Sequence, residues 1–268
     1  MIKVAQIPEI ERNAIEKTIN RNLAREGLLR RRVQEVVRSE TMIWMPYYEI
    51  NYAFTVEGRE LRIDQEPTGS GKTALNAMFG PCVEEESDIL SLFRPDILDV
   101  ELRDNIPRSN DVVGSIGEVN SQLLLDKLIA YRAEIGIELQ EIGFELRKLH
   151  RRMQTMSLFL PTSKATRVRE DELTQRLAQL SGVKFSLRMR LGLPENATIT
   201  QVSDGDVFYC PQLVVSVEHQ QTGMDRFLIV DFVRLGRKMK GGGLDDALSR
   251  LCSVDDACRA TLEAAINK

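Results

Sequence analysis

Residues 46–58 read PYYEINYAFTVEG and residues 211–223 read PQLVVSVEHQQTG, and the two stretches share one template. Each begins with a proline, continues as a strand-like run and reaches a glycine twelve residues later. A second run follows each stretch and ends in an aliphatic residue and an aspartate, at Asp64 and Asp231. Two strand-like runs separated by a glycine turn predict a β-hairpin in each stretch.

The similarity continues beyond the two predicted hairpins. A glycine lies five residues after each aspartate, at Gly69 and Gly236, and both copies resume with an Ala-Leu pair that begins at Ala74 and Ala247. Self-similarity at a fixed spacing indicates a duplicated structural unit. We therefore expect an α+β fold with two related modules, each a helix followed by an antiparallel meander, separated by a long coiled-coil-like helical insertion.

The insertion, from about residue 118 to residue 157, is typical of a coiled coil. Its apolar residues recur at steps of four and three, which places them on one seam of a helix. The seam residues are Ile135, Leu139, Ile142, Leu146, Leu149 and Met153. Such a seam must be covered, and we expect a partner protein or a second copy of this chain to cover it, the latter giving a homo-oligomer. The N-terminal helix is the internal alternative.

Two glycines on a neighbouring stripe, Gly136 and Gly143, are seven residues apart. Glycine inside a helix costs about 1 kcal/mol relative to alanine, so the pair predicts that another helix passes close to this stripe.

The chain divides into four segments on these patterns. They are a first α+β module at 1–80, an acidic connector at 81–117, the helical arm at 118–160 and a second module at 161–268. Within the second module, residues 170–180 predict a short helix stopped by Gly182. Residues 183–191 alternate between apolar and polar side chains and predict a half-buried strand.

One motif has a chemical interpretation, the segment PTGSGKT at residues 67–73. It resembles the phosphate-binding loop of P-loop ATPases, especially the helicase-like ones. In that family, backbone amides before a helix hold the phosphates, the lysine reaches the β and γ oxygens, and the threonine ligates Mg²⁺. The resemblance implies an ATP and magnesium site, and NTP hydrolysis if the protein is an enzyme. The residues concerned are Gly69, Gly71, Lys72 and Thr73. Asp231, at the end of an apolar run, resembles the family's Mg²⁺-holding aspartate.

The repeat offers a second interpretation of the same glycines. Gly69 aligns with Gly236, and another glycine-rich tract, residues 241–243, precedes the helix of the second copy. The glycines would then form a strand-to-helix turn that both copies need. We favour this interpretation, in which the protein is a non-catalytic interaction or scaffold protein that assembles through its helical arm. On this interpretation we expect the protein to have no catalytic residues and no cofactor. Nucleotide binding is the alternative.

Composition narrows the function classes further. The net charge of −4 gives no general attraction to nucleic acid. No apolar run approaches the roughly 18 residues that a membrane span needs. The four cysteines form no CxxC pair, which does not favour a zinc site. Free thiols suit a reducing compartment, so we expect a cytoplasmic protein.

Overall fold

The computed structural model describes residues 3–7, 9–23, 25–26, 32–56, 68–104, 112–157, 163–194, 197–237 and 243–267. The strands are β1 (Lys3–Ala5), β2 (Arg25–Glu26), β3 (Arg32–Val33), β4 (Glu35–Val56), β5 (Thr68–Asn76), β6 (Leu102–Asp104), β7 (Val112–Val113), β8 (Ala197–His219) and β9 (Asp225–Asp231). The helices are α1 (Arg12–Asn22), α2 (Glu86–Leu92), α3 (Ser121–Ser157), α4 (Lys164–Leu191), α5 (Phe232–Gly236), α6 (Asp246–Val254) and α7 (Asp256–Ile266).

The main sheet is mixed and is centred on its two longest strands. β4 and β8 lie side by side in the order β5-β4-β8-β1-β6, while β7 pairs with β4 and β9 pairs with β8. β1 runs parallel to β8 and β7 runs parallel to β4, whereas β9 runs antiparallel to β8. β2 and β3 form a separate two-stranded sheet. The predicted α+β class is confirmed by this mixture of helices with a mixed sheet.

The chain forms two compact units. The first comprises Met1–Tyr52, Lys72–Ser121 and Val202–Lys268, and the second comprises Ala53–Gly71 and Gln122–Gln201. In the first unit, Ile19 of α1 belongs to a buried apolar cluster with Leu213 of β8 and Leu228 of β9. Burial of such side chains contributes roughly 1.5–3 kcal/mol each. The division into four segments remains a prediction.

The ends of β5 and β9 have the same hydrogen-bond geometry. β5 ends at Asn76, whose Oδ1 accepts from the amides two and three residues later, at 3.0 and 3.2 Å. β9 ends at Asp231, whose Oδ1 accepts from the amides two and three residues later, at 2.9 and 3.3 Å. Both side chains are fully buried.

The chain then returns to each strand in the same way. The amide of Arg94 donates to the carbonyl of Ala74 at 2.7 Å, and the amide of Asp245 donates to the carbonyl of Ile229 at 2.8 Å. Each return is preceded by a single antiparallel bridge, Leu75 with Phe93 and Val230 with Leu244. Arg94 and Asp245 therefore occupy equivalent places.

The short parallel strands repeat as well. β7 places Val112 beside Ile43 of β4, and β1 places Lys3 beside Phe208 of β8. Ile43 and Phe208 each lie three residues before the proline of the repeated stretch. The two long strands therefore each carry a parallel neighbour at the same register.

This geometry corrects the sequence alignment of the repeat beyond the prolines. Asn76, rather than Asp64, is the counterpart of Asp231; Asp64 and Gly58 lie outside the described residues. Ala74 lies in β5, whereas Ala247 lies in α6, so the two Ala-Leu pairs are not equivalent. The alignment fails because more residues separate β4 from β5 than separate β8 from β9. Residues at the same spacing are therefore not equivalent beyond the first strand of each pair.

Residues 183–191 form a helix, so the predicted strand is wrong. α4 continues through Gly182 and ends at Gly192, which has a φ of 62° and donates its amide to the carbonyl of Arg188. Leu187 is 1% exposed whereas Phe185 is 63% exposed, although strict alternation places them on one face. A glycine with positive φ commonly ends a helix, and in this chain that glycine is Gly192 rather than Gly182.

Candidate functional site

The four residues of the phosphate-loop resemblance lie in an extended strand. They are Gly69, Gly71, Lys72 and Thr73, all within β5. The Nζ of Lys72 lies 3.3 Å from a carboxylate oxygen of Glu49, and Thr73 is fully buried. A phosphate loop needs converging amides ahead of a helix, but β5 is followed by a turn and the 3₁₀ segment Gly80–Cys82. The local geometry therefore gives the ATP interpretation no support.

Gly69 has a packing role that neither interpretation contains. A Cβ atom at Gly69 would lie 2.5 Å from Cζ of Phe54 on β4. The aromatic ring thus lies directly over the glycine backbone, where any side chain would displace it. The predicted strand-to-helix turn at Gly69 is wrong, because the residue is inside a strand. Gly236, its partner in the sequence alignment, ends α5.

A buried ionic cluster lies in the first unit around Arg94, whose side chain is 1% exposed. Its Nη2 donates to Asp231 at 2.5 Å and its Nη1 donates to Asp245 at 2.6 Å. Asp96 accepts from Nε and Nη2 at 2.8 and 2.7 Å. The sequence analysis missed this cluster, because its members are far apart in the chain and no local motif joins them.

The cluster's carboxylates also cap helices. Asp231 caps α5, and the Oδ1 of Asp245 accepts from the amide of Leu248 at the start of α6. Burial lowers the pKa of Arg94, but Asp231 and Asp245 outweigh it and raise that pKa well above its usual value. Burial raises the pKa of Asp96, but Arg94 lowers it more strongly, to about 2. Because donors already occupy these carboxylate oxygens, the cluster serves to link α5, α6 and the segment after α2.

Helices α3 and α4 of the second unit form an antiparallel hairpin. Glu138 pairs with Arg176 at 2.7 Å, and Glu145 pairs with Arg169 at 3.1 Å. Seven residues forward along α3 correspond to seven residues backward along α4, so the helices run in opposite directions. Ion pairs one heptad apart flank the seam in the way that is typical of a coiled coil.

The apolar seam of α3 is partly covered within the chain. Ile135 and Ile142 are buried, and the remaining seam residues, Leu139, Leu146, Leu149 and Met153, are half-buried. On α4, Leu173, Leu180 and Leu187 are buried at the same spacing of seven. The sequence analysis assigned this seam to a partner or a second copy. The structure does not support that assignment, since α4, which had been split into a helix and a strand, supplies the matching heptads.

Large apolar side chains also point away from this seam. Ile137 and Phe144 on α3 and Phe185 and Met189 on α4 are between 60 and 63% exposed. We call these four residues the outward face. Ile137 and Phe144 are seven residues apart, so they lie on one stripe of α3.

The same unit contains an open groove of about 900 Å³, which we call the basic groove. It runs along α3, and its charged lining residues are Arg132, Arg147 and Lys184. The guanidinium of Arg132 donates to the carbonyls of Pro194 and Ala197, at 2.9 and 2.5 Å, which fixes its position. Ile137 of the outward face lines the groove as well.

Other site types find little support in the described part of the chain. No group of His, Cys, Asp and Glu there could hold a metal ion. No described helix is long and apolar enough to cross a membrane. Cys210, Cys252 and Cys258 are buried free thiols, and burial raises the pKa of each. Comparison with protein-family models, with curated proteins and with solved structures finds no match.

Proposed function

We propose that the protein is a non-catalytic interaction protein, built on a duplicated α+β module, whose helical hairpin binds another protein. The observation that carries the proposal is the outward face. Its four large apolar side chains remain exposed although α4 already covers the seam of α3. Exposed apolar side chains that adjoin one another mark interaction surfaces more often than scattered ones do, and Ile137 and Phe144 share one stripe of α3.

The energy available from the outward face sets a scale for binding. Complete burial of four such side chains contributes roughly 6–12 kcal/mol. Association costs about 4–15 kcal/mol in lost freedom, so apolar burial by itself gives weak binding. A partner therefore needs additional polar contacts on the hairpin.

The repeated geometry of the sheet supports the duplicated module and sets the hairpin apart from it. In the first copy α1, β2 and β3 lie between β1 and β4, whereas α3 and α4 lie between β7 and β8 in the second copy. The described part of the first copy makes the shared strand pairs and strand-end caps without a long hairpin. The hairpin is therefore an addition to one copy, which suits a role outside the fold itself.

The experiment compares two pairs of surface substitutions in the full chain. Ile137→Ser with Phe144→Ser removes two residues of the outward face. Met224→Ser with Val254→Ser removes two residues of the first unit that are 72 and 75% exposed, and serves as the control. We expect the wild type and the control to co-purify a protein at a fixed stoichiometry, and the hairpin variant to lose it.

Retention of that protein by the hairpin variant, or its absence from the wild type, would contradict the proposal. Light scattering on the same samples detects self-association as an alternative use of the outward face. Calorimetry with Mg·ATP tests the nucleotide interpretation, and binding that is lost in Lys72→Ala would revive it.

A further inference from the structure

The first strand of each copy pairs with the long strand of the other copy. Both copies have the same element order, in which a short strand precedes a helical segment and a long strand. The order is β1, α1 and β4 in one copy, and β7, α3, α4 and β8 in the other. β1 nevertheless runs beside β8, and β7 runs beside β4. The copies therefore exchange their first strands, as the members of a domain-swapped dimer do, although here both members belong to one chain.

The two copies are related by an approximate two-fold axis. The carbonyl of Gln34, next to the start of β4, accepts from the amide of Gln220, just after β8, at 2.7 Å. Tyr47, farther along β4, stacks on Phe208, which lies earlier in β8. β4 and β8 therefore run antiparallel. Equivalent strands that pair side by side in opposite directions are related by a two-fold rotation.

Two pairs of equivalent residues contact each other across this axis. Tyr47 and Gln212, each one residue after its proline, form the 2.9 Å hydrogen bond between the long strands. Arg94 and Asp245, which occupy equivalent places after the strand ends, form a 2.6 Å ion pair. Residues related by a two-fold axis contact each other only beside that axis. The buried ionic cluster therefore lies on the surface between the two copies.

The two copies place different charges beside the axis. The first copy supplies Arg94, and the second copy supplies Asp245 in the equivalent place. At the strand ends, Asn76 of the first copy is neutral, whereas Asp231 of the second copy is an anion that accepts from Arg94 at 2.5 Å. Two first copies would set Arg94 against Arg94, and two second copies would set Asp245 against Asp245. Both side chains are 1% exposed, so water would screen neither repulsion.

We propose that the surface between the copies accepts only an unlike partner, a first copy against a second copy, and that Arg94 with Asp245 determines this specificity. The two copies of one chain are then each other's partners. Specificity of this kind comes from the repulsion that wrong pairs suffer as much as from the attraction in the right pair. The inference goes beyond the proposed function, because it concerns the first unit and does not depend on the helical hairpin.

The test uses the full chain, cut between its copies after purification. A specific protease site inserted between β6 and β7 separates the first copy from the second. The cut protein is unfolded in urea and refolded, and native mass spectrometry counts the mixed and the like pairs of the two fragments. The uncut chain, treated in the same way, gives the reference yield. We expect at least ten mixed pairs for each like pair, since the exchanged strands and the ionic cluster both join the fragments.

Variants of the cut protein test the role of the charges. Asp245→Arg sets two cations beside the axis and should lower the yield of mixed pairs at least tenfold. Arg94→Asp combined with Asp245→Arg restores opposite charges and should raise that yield at least threefold above the single variant. Asp225→Arg, the same change at the exposed start of β9, should alter it less than about twofold.

A milder variant keeps the test decisive if Asp245→Arg does not refold. Asp245→Asn removes the charge and keeps a side-chain oxygen for the amide of Leu248. It should lower the ratio of mixed pairs to pairs of second copies at least threefold.

Three results would overturn the inference. They are separation of the fragments on cutting, like pairs as frequent as mixed pairs in the refolded wild type, and an unchanged ratio of pairs in Asp245→Asn. Equal yields from Asp245→Arg and Asp225→Arg, or a double variant no better than Asp245→Arg, would overturn the role of the ion pair as the specificity determinant.

Discussion

Replacement of Arg94 by methionine removes the cation from the buried ionic cluster and keeps most of its volume. Asp231 and Asp245 then remain with side chains that are 1% exposed, and their closest cation is Arg234, at 3.6 and 3.9 Å instead of the 2.5 and 2.6 Å of Arg94. Removal of one partner of a buried ion pair costs about 3–5 kcal/mol. Alternatively, each carboxylate takes up a proton, and protonation at pH 7 costs about 4 kcal/mol for a group with an ordinary pKa. Both routes predict that Arg94→Met lowers the free energy of unfolding by about 3–5 kcal/mol.

The pH dependence separates this mechanism from a simple packing loss. A carboxylate left without its cation has a raised pKa in the folded state, so its destabilisation is present at neutral pH and diminishes as the pH falls. The cost of Arg94→Met should therefore shrink by about 1.4 kcal/mol per pH unit for each such carboxylate, between pH 7 and pH 5. Urea denaturation followed by circular dichroism at the two pH values gives both numbers.

A second variant keeps the test decisive if Arg94→Met does not fold. Arg94→Met combined with Asp231→Asn and Asp245→Asn removes the charges of these three residues and leaves Asp96 paired with Arg234 at 3.6 Å. Asn76 caps the equivalent end of β5 with an amide oxygen, so asparagine at position 231 can keep that cap. We expect this triple variant to recover at least half of the loss. A loss below about 1 kcal/mol in Arg94→Met, or one unchanged between pH 7 and pH 5, would refute the reasoning.

Four further predictions follow from burial and charge. Leu187→Ala should cost about 2–4 kcal/mol in urea unfolding and Phe185→Ala less than about 0.5, whereas equal costs would favour a strand at 183–191. Gly136→Ala should raise the free energy of unfolding by about 0.5–1 kcal/mol, and a loss would show that a helix covers it. Asp96→Asn should lower the free energy of unfolding by about 2 kcal/mol near pH 7, because the pKa of Asp96 in the folded protein is about 2. This loss should disappear as the pH falls from about 4 to below about 2. A loss that does not depend on pH would contradict the pairing of Asp96 with Arg94. A thiol reagent should label Cys82 first in the native protein and the other three cysteines only on unfolding, and rapid labelling of all four would contradict their burial.

The sequence predicted the elements whose signals are local. The heptads of α3 gave a helix from about residue 118 to 157, and Ser121–Ser157 is observed. The repeated prolines marked the two long neighbouring strands, with Tyr47 and Gln212 next to them in equivalent positions. Those two side chains meet in the fold, where the amide of Gln212 donates to the hydroxyl of Tyr47 at 2.9 Å.

The errors arose where apolar residues lie outside the core. Phe185 and Met189 are apolar and exposed, and together with buried Leu187 they imitate the alternation of a strand. Pattern rules assume that apolar side chains point inward, so exposed apolar side chains mislead them. The partner assigned to the α3 seam followed from the same error, because the missing part of α4 left that seam without an internal cover.

Arg94 was missed for a different reason. It gains its role from Asp231 and Asp245, which lie 137 and 151 residues away in the sequence. Neither helix periodicity nor turn chemistry carries information over that distance. Only the fold brings the cation between the two capping aspartates.

Binding of a partner to the helical hairpin is tested most directly by labelling a position beside the outward face. Gly143→Cys in a Cys82→Ser background places a thiol next to Phe144, and Val254→Cys in the same background places one on the first unit, where Val254 is 75% exposed. Maleimide labelling rates are measured for the free protein and for the complex with its co-purified partner. The account predicts at least a tenfold slower reaction at position 143 in the complex and an unchanged rate at position 254. Equal rates at position 143 in the free and bound protein would contradict it.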